Sequence, residues 1–146
     1  MSEKSKMIAG EKYNPADPRL VLERARANRI CTKYNKRSFN EINMYSRLLR
    51  KLINTKGRFW IKPPFYCDYG YNITIGENVM LNYGCVILDV CPVSIGDHTL
   101  IGPNTHIYTA CHSLNTQERL NDVEFGKAVT IGKNVWIGVI VVFFQE

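Results

Sequence analysis

Large aliphatic residues recur at every sixth position through the second half of this chain. Ile75, Leu81 and Ile87 form one run, Ile95, Ile101 and Ile107 a second, and Ile131 and Ile137 a third, with Phe143 where the next would fall. Gly76, Gly96, Gly102, Gly132 and Gly138 each follow one of these aliphatics directly. Four residues after the aliphatic stands a small or β-branched side chain: Val79, Cys85, Thr99, Thr105, Cys111, Val135 or Val141. A helix repeats its apolar face at three and four residues and a strand at two, so neither alone gives a period of six. Short strands joined by tight turns do, if the chain winds into a coil with six-residue sides. The aliphatic then points inward and stacks on its equivalent one coil away, the smaller residue fills the remaining interior, and glycine lets the turn close. One coil cannot bury its own core, so several must stack. β-Hairpins with glycine turns are the alternative, but hairpins have no reason to keep this phase across eight matches.

The phase breaks twice. "DVCP", residues 89–92, shifts the register by two positions. Between His112 and Ala128 the register fails, with Ser113, Arg119 and Phe125 in the inward phase of a polar segment, "HSLNTQERLNDVEFGK". This reads as a loop thrown out from a coil, and loops on rigid scaffolds are where function concentrates. Residues 1–57 instead carry a helical period. Asp17 is placed to cap a helix with Pro18 at its first position, and Leu20, Arg24, Ala27, Cys31 and Tyr34 recur at helical spacing. A second helix is predicted over Asn40 to Ile53, with Ile42, Tyr45, Leu48, Leu49 and Leu52 as its apolar stripe and Gly57 ending it. The predicted organisation is a helical segment at 1–57 and a mainly β, parallel coiled domain at 58–146.

At 146 residues the chain is one domain's worth. It has no apolar run approaching the ~18 residues of a membrane helix, and its N-terminus lacks the apolar stretch of a signal peptide. Five cysteines without a CxxC spacing suggest reduced thiols in a cytoplasmic protein. The net charge of +6 fits either a basic surface or an anionic ligand such as a coenzyme phosphate. No recognition-helix signature or aromatic-interleaved basic platform supports nucleic-acid binding.

Three histidines are candidate bases. His98 occupies a polar turn, His106 lies mid-repeat, and His112 stands where the coil gives way to the loop. An ordinary exposed turn histidine is the alternative reading of His112. Cys111, beside it, falls in the inward small-residue phase, and neighbours in a strand point to opposite faces, so it is expected in the core rather than as a nucleophile. The histidines have no chelating spacing, and no metal site is predicted.

"MIAGEKYNPADPRL", "PPFYCDYGYNITIGENVMLNYGCVILD", "IGPNTHIYTACHSLNTQERL" and "VTIGKNVWIG" resemble the maltose and galactoside O-acetyltransferases, across nearly the whole chain. The resemblance implies a left-handed parallel β-helix, a hand that backbone physics would not choose for a crossover. It implies a homotrimer with sites between subunits, moving acetyl from acetyl-CoA to a sugar hydroxyl, without a metal. It places the general base on His112 in "TACHSL", where Ser113 stands in place of the proline many members carry. Asn82 in "MLNYG" matches the asparagine proposed to stabilise the transition state, a role an amide donor can fill without charge. Asp68, Asp89 and Glu124 match positions that hold the acceptor, with a further contact implied at Arg24. Trp136, with Gly138 in the same motif, matches the coenzyme side. Each has a plainer reading as a turn or surface residue. The acceptor is left open among maltose, glucose, galactosides and modified oligosaccharides.

The family would continue past "NVWIG" with further glycine-rich coils, whereas here the chain runs "VIVVFFQE". The expectation is therefore a C-terminally truncated chain with an exposed apolar end that binds acetyl-CoA poorly and transfers acetyl groups weakly or not at all. The competing reading is a non-catalytic assembly or binding protein on the same scaffold, since a fold does not by itself fix a function.

Overall fold

The computed structural model describes residues 1–36, 47–55 and 57–143. Two helices open the chain, α1 (Glu3–Ala9) and α2 (Pro18–Asn35). Asp17 caps α2, its Oδ1 accepting from the N–H of Arg19 at 3.0 Å and of Leu20 at 3.3 Å, with Pro18 in the first turn where no N–H is needed. Leu20, Ala27, Cys31 and Tyr34 are its buried stripe, as the spacing predicts. Of the expected second helix, residues 47–50 are helical and the chain turns at 51–52, with Leu49, Leu52 and Ile53 buried. Its earlier part, with Ile42 and Tyr45, lies outside the described residues.

The remainder winds into four coils. The first holds β1 (Asn54–Thr55), β2 (Phe59–Ile61) and β3 (Phe65–Cys67), and the second β4 (Ile73–Ile75), β5 (Val79–Leu81) and β6 (Cys85–Leu88). The third holds β7 (Val93–Ile95), β8 (Leu100–Ile101) and β9 (His106–Tyr108). An arm follows, made of β10 (Ala110–His112), α3 (Thr116–Leu120) and β11 (Glu124–Gly126). The fourth coil holds β12 (Val129–Ile131), β13 (Trp136–Ile137) and β14 (Val142–Phe143). Equivalent strands pair in parallel along three faces, in the orders β1-β4-β7-β12, β2-β5-β8-β13 and β3-β6-β9-β14. The coil therefore begins at Asn54, before Gly57, where sequence reasoning had ended the helical segment.

The period of six is the stacking register. Ile75 pairs with Ile95 and Ile95 with Ile131; Leu81 pairs with Ile101 and Ile101 with Ile137; Ile87 pairs with Ile107. All eight of these aliphatics are buried, from 1% to 7% exposed. Full burial of each such side chain favours folding by roughly 1.5–3 kcal/mol.

The turns reveal a second regularity. Asn78, His98, Asn104, Asn134 and Ile140 all have φ between 54° and 58°, and each directly precedes the small inward residue. Asparagine tolerates this left-handed region better than most residues. Gly76, Gly96 and Gly102, which follow the aliphatics, serve a different need, close approach to the next coil. A Cβ on Gly96 would lie 2.6 Å from the Gly132 backbone.

The two-residue shift at 89–92 receives the helical segment. Met7, Tyr13, Leu20, Tyr69, Val90 and Cys91 form a second buried cluster there. At the other end of α2, the Asn35 side chain pairs with the Phe65 backbone, its Nδ2 donating to the carbonyl at 2.9 Å and its Oδ1 accepting from the N–H at 2.8 Å. The helices are thus held against the second and first coils. Among the described residues, no helix is long and apolar enough to cross a membrane.

Candidate functional site

The polar segment after His112 is an antiparallel ribbon with a short helical tip. Strands β10 and β11 pair with His112 opposite Glu124. Glu124 also pairs with Tyr13 ahead of α2, through backbone hydrogen bonds of 2.9 and 3.2 Å. The Tyr13 hydroxyl donates to Glu124 Oε2 at 2.6 Å. Burial and the adjoining carboxylate push the Tyr13 phenol far up, so it remains a donor. The other carboxylate oxygen, Oε1, stands 3.9 Å from His112 Nε2. Glu124 is thereby held on one side by a buried phenol and faces the imidazole on the other.

His112 lies in the wall of a cavity of about 320 Å³ shared with Arg24, Asp68, Tyr69 and Glu124. Arg24 projects from α2 and donates to the Tyr69 hydroxyl at 2.6 Å and to the Pro15 carbonyl at 2.8 Å. Burial pushes the Asp68 carboxyl up to about 6, with the Arg24 guanidinium partly offsetting it. The His112 side chain itself is 61% exposed. Four of the residues singled out from sequence, Arg24, Asp68, His112 and Glu124, are therefore brought together from four parts of the chain.

Asp89 is not one of them. It is fully buried, and its Oδ1 accepts from the N–H groups of Asp68 at 3.1 Å and Tyr69 at 2.9 Å, while Oδ2 accepts from Asn72 at 3.3 Å. Expected to hold the acceptor, it lies beneath the cavity and fixes the backbone that carries Asp68 and Tyr69. Burial pushes its carboxyl up and the backbone donors hold it back, with the balance at about 7.

Asn82, Trp136 and Gly138 gather elsewhere, around a cavity of about 200 Å³ that also includes Met80, Leu100 and Pro103. Asn82 Oδ1 accepts from the Tyr83 N–H at 2.9 Å, which leaves the NH₂ group as the donor end of the amide. Trp136 is 82% exposed. Within one chain, the expected transition-state donor and the expected base thus line separate cavities.

A larger cavity, about 1000 Å³, borders the other side of His112, with Tyr108, Cys111, Leu114 and Phe125 in its lining. Cys111 was expected in the core. It is instead half-buried on the ribbon, because the chain leaves the coil at Ala110 and the inward phase no longer points inward. Sequence reasoning also missed Tyr13 and Tyr69. Neither belongs to a periodic pattern, and their roles arise only when the helical segment docks beside the 89–92 shift. Among the described residues, no three His, Cys, Asp or Glu side chains converge to hold a metal ion.

Residues 6–57 match the family model described as the maltose acetyltransferase hexapeptide capping motif. The chain is 43% identical over 138 residues to nodulation protein L of Rhizobium meliloti, covering 94% of this chain and 75% of that protein. A maltose O-acetyltransferase from Clostridium difficile 630 superposes with a TM-score of 0.93 at 40% identity, covering 97% of this chain and 76% of that one. A galactoside acetyltransferase in complex with coenzyme A gives a TM-score of 0.89 at 30% identity, covering 98% and 72%. The four stacked coils are the left-handed parallel β-helix of these proteins, and the chain belongs to the maltose and galactoside O-acetyltransferase family of hexapeptide-repeat acetyltransferases.

Proposed function

We propose that this chain transfers an acetyl group from acetyl-CoA to a sugar hydroxyl, as a homotrimer, with His112 as general base. The observation that carries the reading is the convergence of Arg24, Asp68 and Glu124 on a cavity walled by His112. Its volume, about 320 Å³, lies within the range of small-molecule sites. Carboxylates accept hydrogen bonds from sugar hydroxyls, and above pH about 6 Asp68 is in its accepting form. In the proposed reaction His112 takes the proton of the acceptor hydroxyl as its oxygen attacks the thioester carbon. The tetrahedral oxyanion collapses, the carbon–sulfur bond breaks, and the imidazolium returns the proton to the leaving thiolate. Glu124, facing Nε2, stabilises the imidazolium between these steps.

The oxyanion donor is Asn82 of the partner subunit, with Trp136 and Gly138 on the coenzyme side. Two observations favour this arrangement. Asn82 and His112 line different cavities of one chain. The face carrying Asn82 also presents an outward apolar row in register, Trp60 beside Met80, Met80 beside Leu100 and Leu100 beside Trp136. Such a row is suited to burial against another copy.

Thiol release from acetyl-CoA, measured with a panel of glucose, maltose and galactosides, tests the proposal. The wild-type chain should release thiol in an acceptor-dependent manner, and His112→Ala should lower turnover ~10²–10⁴-fold with the fold intact. A variant keeping more than a tenth of wild-type turnover would remove His112 from the role.

A further inference from the structure

Cys31 and Cys67 lie outside the proposed chemistry. Cys31 is on the buried stripe of α2 and Cys67 ends β3, and their sulfurs are 3.9 Å apart. The other three thiols point to backbone carbonyls: Cys85 to Gly102 at 3.5 Å, Cys91 to Met7 at 3.1 Å and Cys111 to Thr109 at 3.8 Å. Both members of the pair line an open cavity of about 370 Å³ together with Arg24, Asn28, Tyr66 and Asp68. The pair, Cys31 buried and Cys67 half-buried, thus borders a cavity wide enough to admit a small oxidant. Bonding would require the sulfurs to close by about 2 Å, to the ~2.05 Å of a disulfide.

We infer that Cys31 and Cys67 form a reversible thiol–disulfide site, oxidised by small hydroperoxides, that staples α2 to the first coil. The two thiols have unequal roles. The hydrogen bond from Cys67 holds the Cys31 thiol below its ordinary value, and the same bond, with burial, pushes Cys67 well up. Cys31 thiolate attacks one oxygen of hydrogen peroxide, giving a sulfenic acid as the other oxygen leaves as hydroxide and is protonated to water. The Cys67 sulfur then attacks the Cys31 sulfur. The S–S bond forms, the S–O bond breaks, and hydroxide leaves with the Cys67 proton as a second water. Two thiols are oxidised and one peroxide is reduced. A dithiol reverses the bond by exchange.

The position of the staple gives it a consequence. Arg24 lies on α2 two turns before Cys31, and Asp68 directly follows Cys67. The bond would tie together the two elements that bring Arg24 and Asp68 to the cavity beside His112. Packing and the Asn35–Phe65, Tyr34–Ile61, Arg24–Tyr69 and Glu23–Tyr71 hydrogen bonds also hold α2 to this part of the chain.

The experiment uses the full chain, fully reduced and then exposed to a small excess of hydrogen peroxide. Thiols titrated in denaturant should fall from the five free cysteines to three, five less the pair. A tryptic map should link the Cys31 peptide to the Cys67 peptide, and dithiothreitol should restore all five thiols. The oxidised chain should melt roughly 5–15 °C above the reduced one. In Cys67→Ser, dimedone should trap a sulfenic acid on Cys31 and no intrachain link should form. The wild-type map decides the matter even if that variant folds poorly. Retention of all five thiols, or a link through a different pair, would overturn the site. A Cys31–Cys67 link that leaves the melting temperature unmoved would overturn its role as a staple.

Discussion

Ile140 occupies a position that its chemistry does not suit. It has φ of 54° at the turn before Val141, where left-handed turns elsewhere in the coil domain carry Asn78, His98, Asn104 and Asn134. The left-handed region costs an L-residue ~1–2 kcal/mol, and isoleucine has no side-chain hydrogen bond to offset that. Ile140 is 71% exposed, so replacing it forfeits less than a third of the ~1.5–3 kcal/mol available from full burial. Ile140→Asn should therefore stabilise the fold by about 0.5–1 kcal/mol, raising the melting temperature by about 1–4 °C. The reverse change, Asn134→Ile, places an isoleucine at the preceding turn of the same coil, in the same left-handed conformation, and should cost ~1–2 kcal/mol. Thermal melts of both variants test the pair. Hydrogen exchange at the His106 amide, which donates to the Val141 carbonyl at 2.9 Å, reads the same effect locally. Loss of stability in Ile140→Asn, together with a neutral Asn134→Ile, would show that backbone conformation does not set residue choice at these turns.

Ile101, 1% exposed and in register between Leu81 and Ile137, should cost ~2–5 kcal/mol on truncation to alanine, read from urea midpoints; a loss below 1 kcal/mol would contradict its place in the stack. Asp89 titrates near 3.8 unfolded and about 7 folded, so between those values the folded chain holds the extra proton and stability falls as pH rises. The stability of wild type minus that of Asp89→Asn should accordingly fall from pH 4 to pH 7, and a rise in that difference would reverse the assignment. Mixing inactive His112→Ala and Asn82→Ala chains, unfolded and refolded together, should restore about a quarter of wild-type turnover, because in random rings one interface in four unites an intact His112 with an intact Asn82. No recovery in verified mixed trimers would place both residues in one subunit's site.

The stacked core was legible because each side of the coil returns an inward position after six residues, and Ile75, Leu81, Ile87 and their equivalents advertise that return. The N-cap at Asp17 and the stripe through Cys31 and Tyr34 were legible for the same reason, a local period. The glycines were placed correctly but for an incomplete reason. The left-handed turn belongs to the residue before the small inward position, whereas Gly96 answers a close approach that exists only once coils stack. Cys111 was misplaced because a phase carried past Ala110 no longer describes a chain that has left the coil. Asp89 and Tyr13 mark the boundary of sequence reading. A carboxylate accepting backbone N–H bonds and one facing a substrate look alike in sequence, and the Tyr13–Glu124 contact spans 111 residues.

The separation of His112 from Asn82 follows from the fold rather than from local detail. Asn82 closes the strand of one face, and His112 leaves the corner beyond the next, where the ribbon is thrown outward. A three-sided rod turns successive faces away from one another, and no side-chain rotation brings such positions together. Residues placed this way can cooperate only if the outward ribbon of one copy reaches the Asn82 face of another. That contact joins two different surfaces, so it is heterologous, and it must either close into a ring or propagate. The arm after His112 and the apolar row from Trp60 to Trp136 are then complementary parts of one requirement. The arm holds the proposed base at the edge of its own coil, beside Asp68 and Tyr69, and the row is the surface a neighbouring copy would cover. In the proposed enzyme, assembly is thus a step in building the site, and acceptor recognition by Arg24, Asp68 and Glu124 is the part that a single chain already holds.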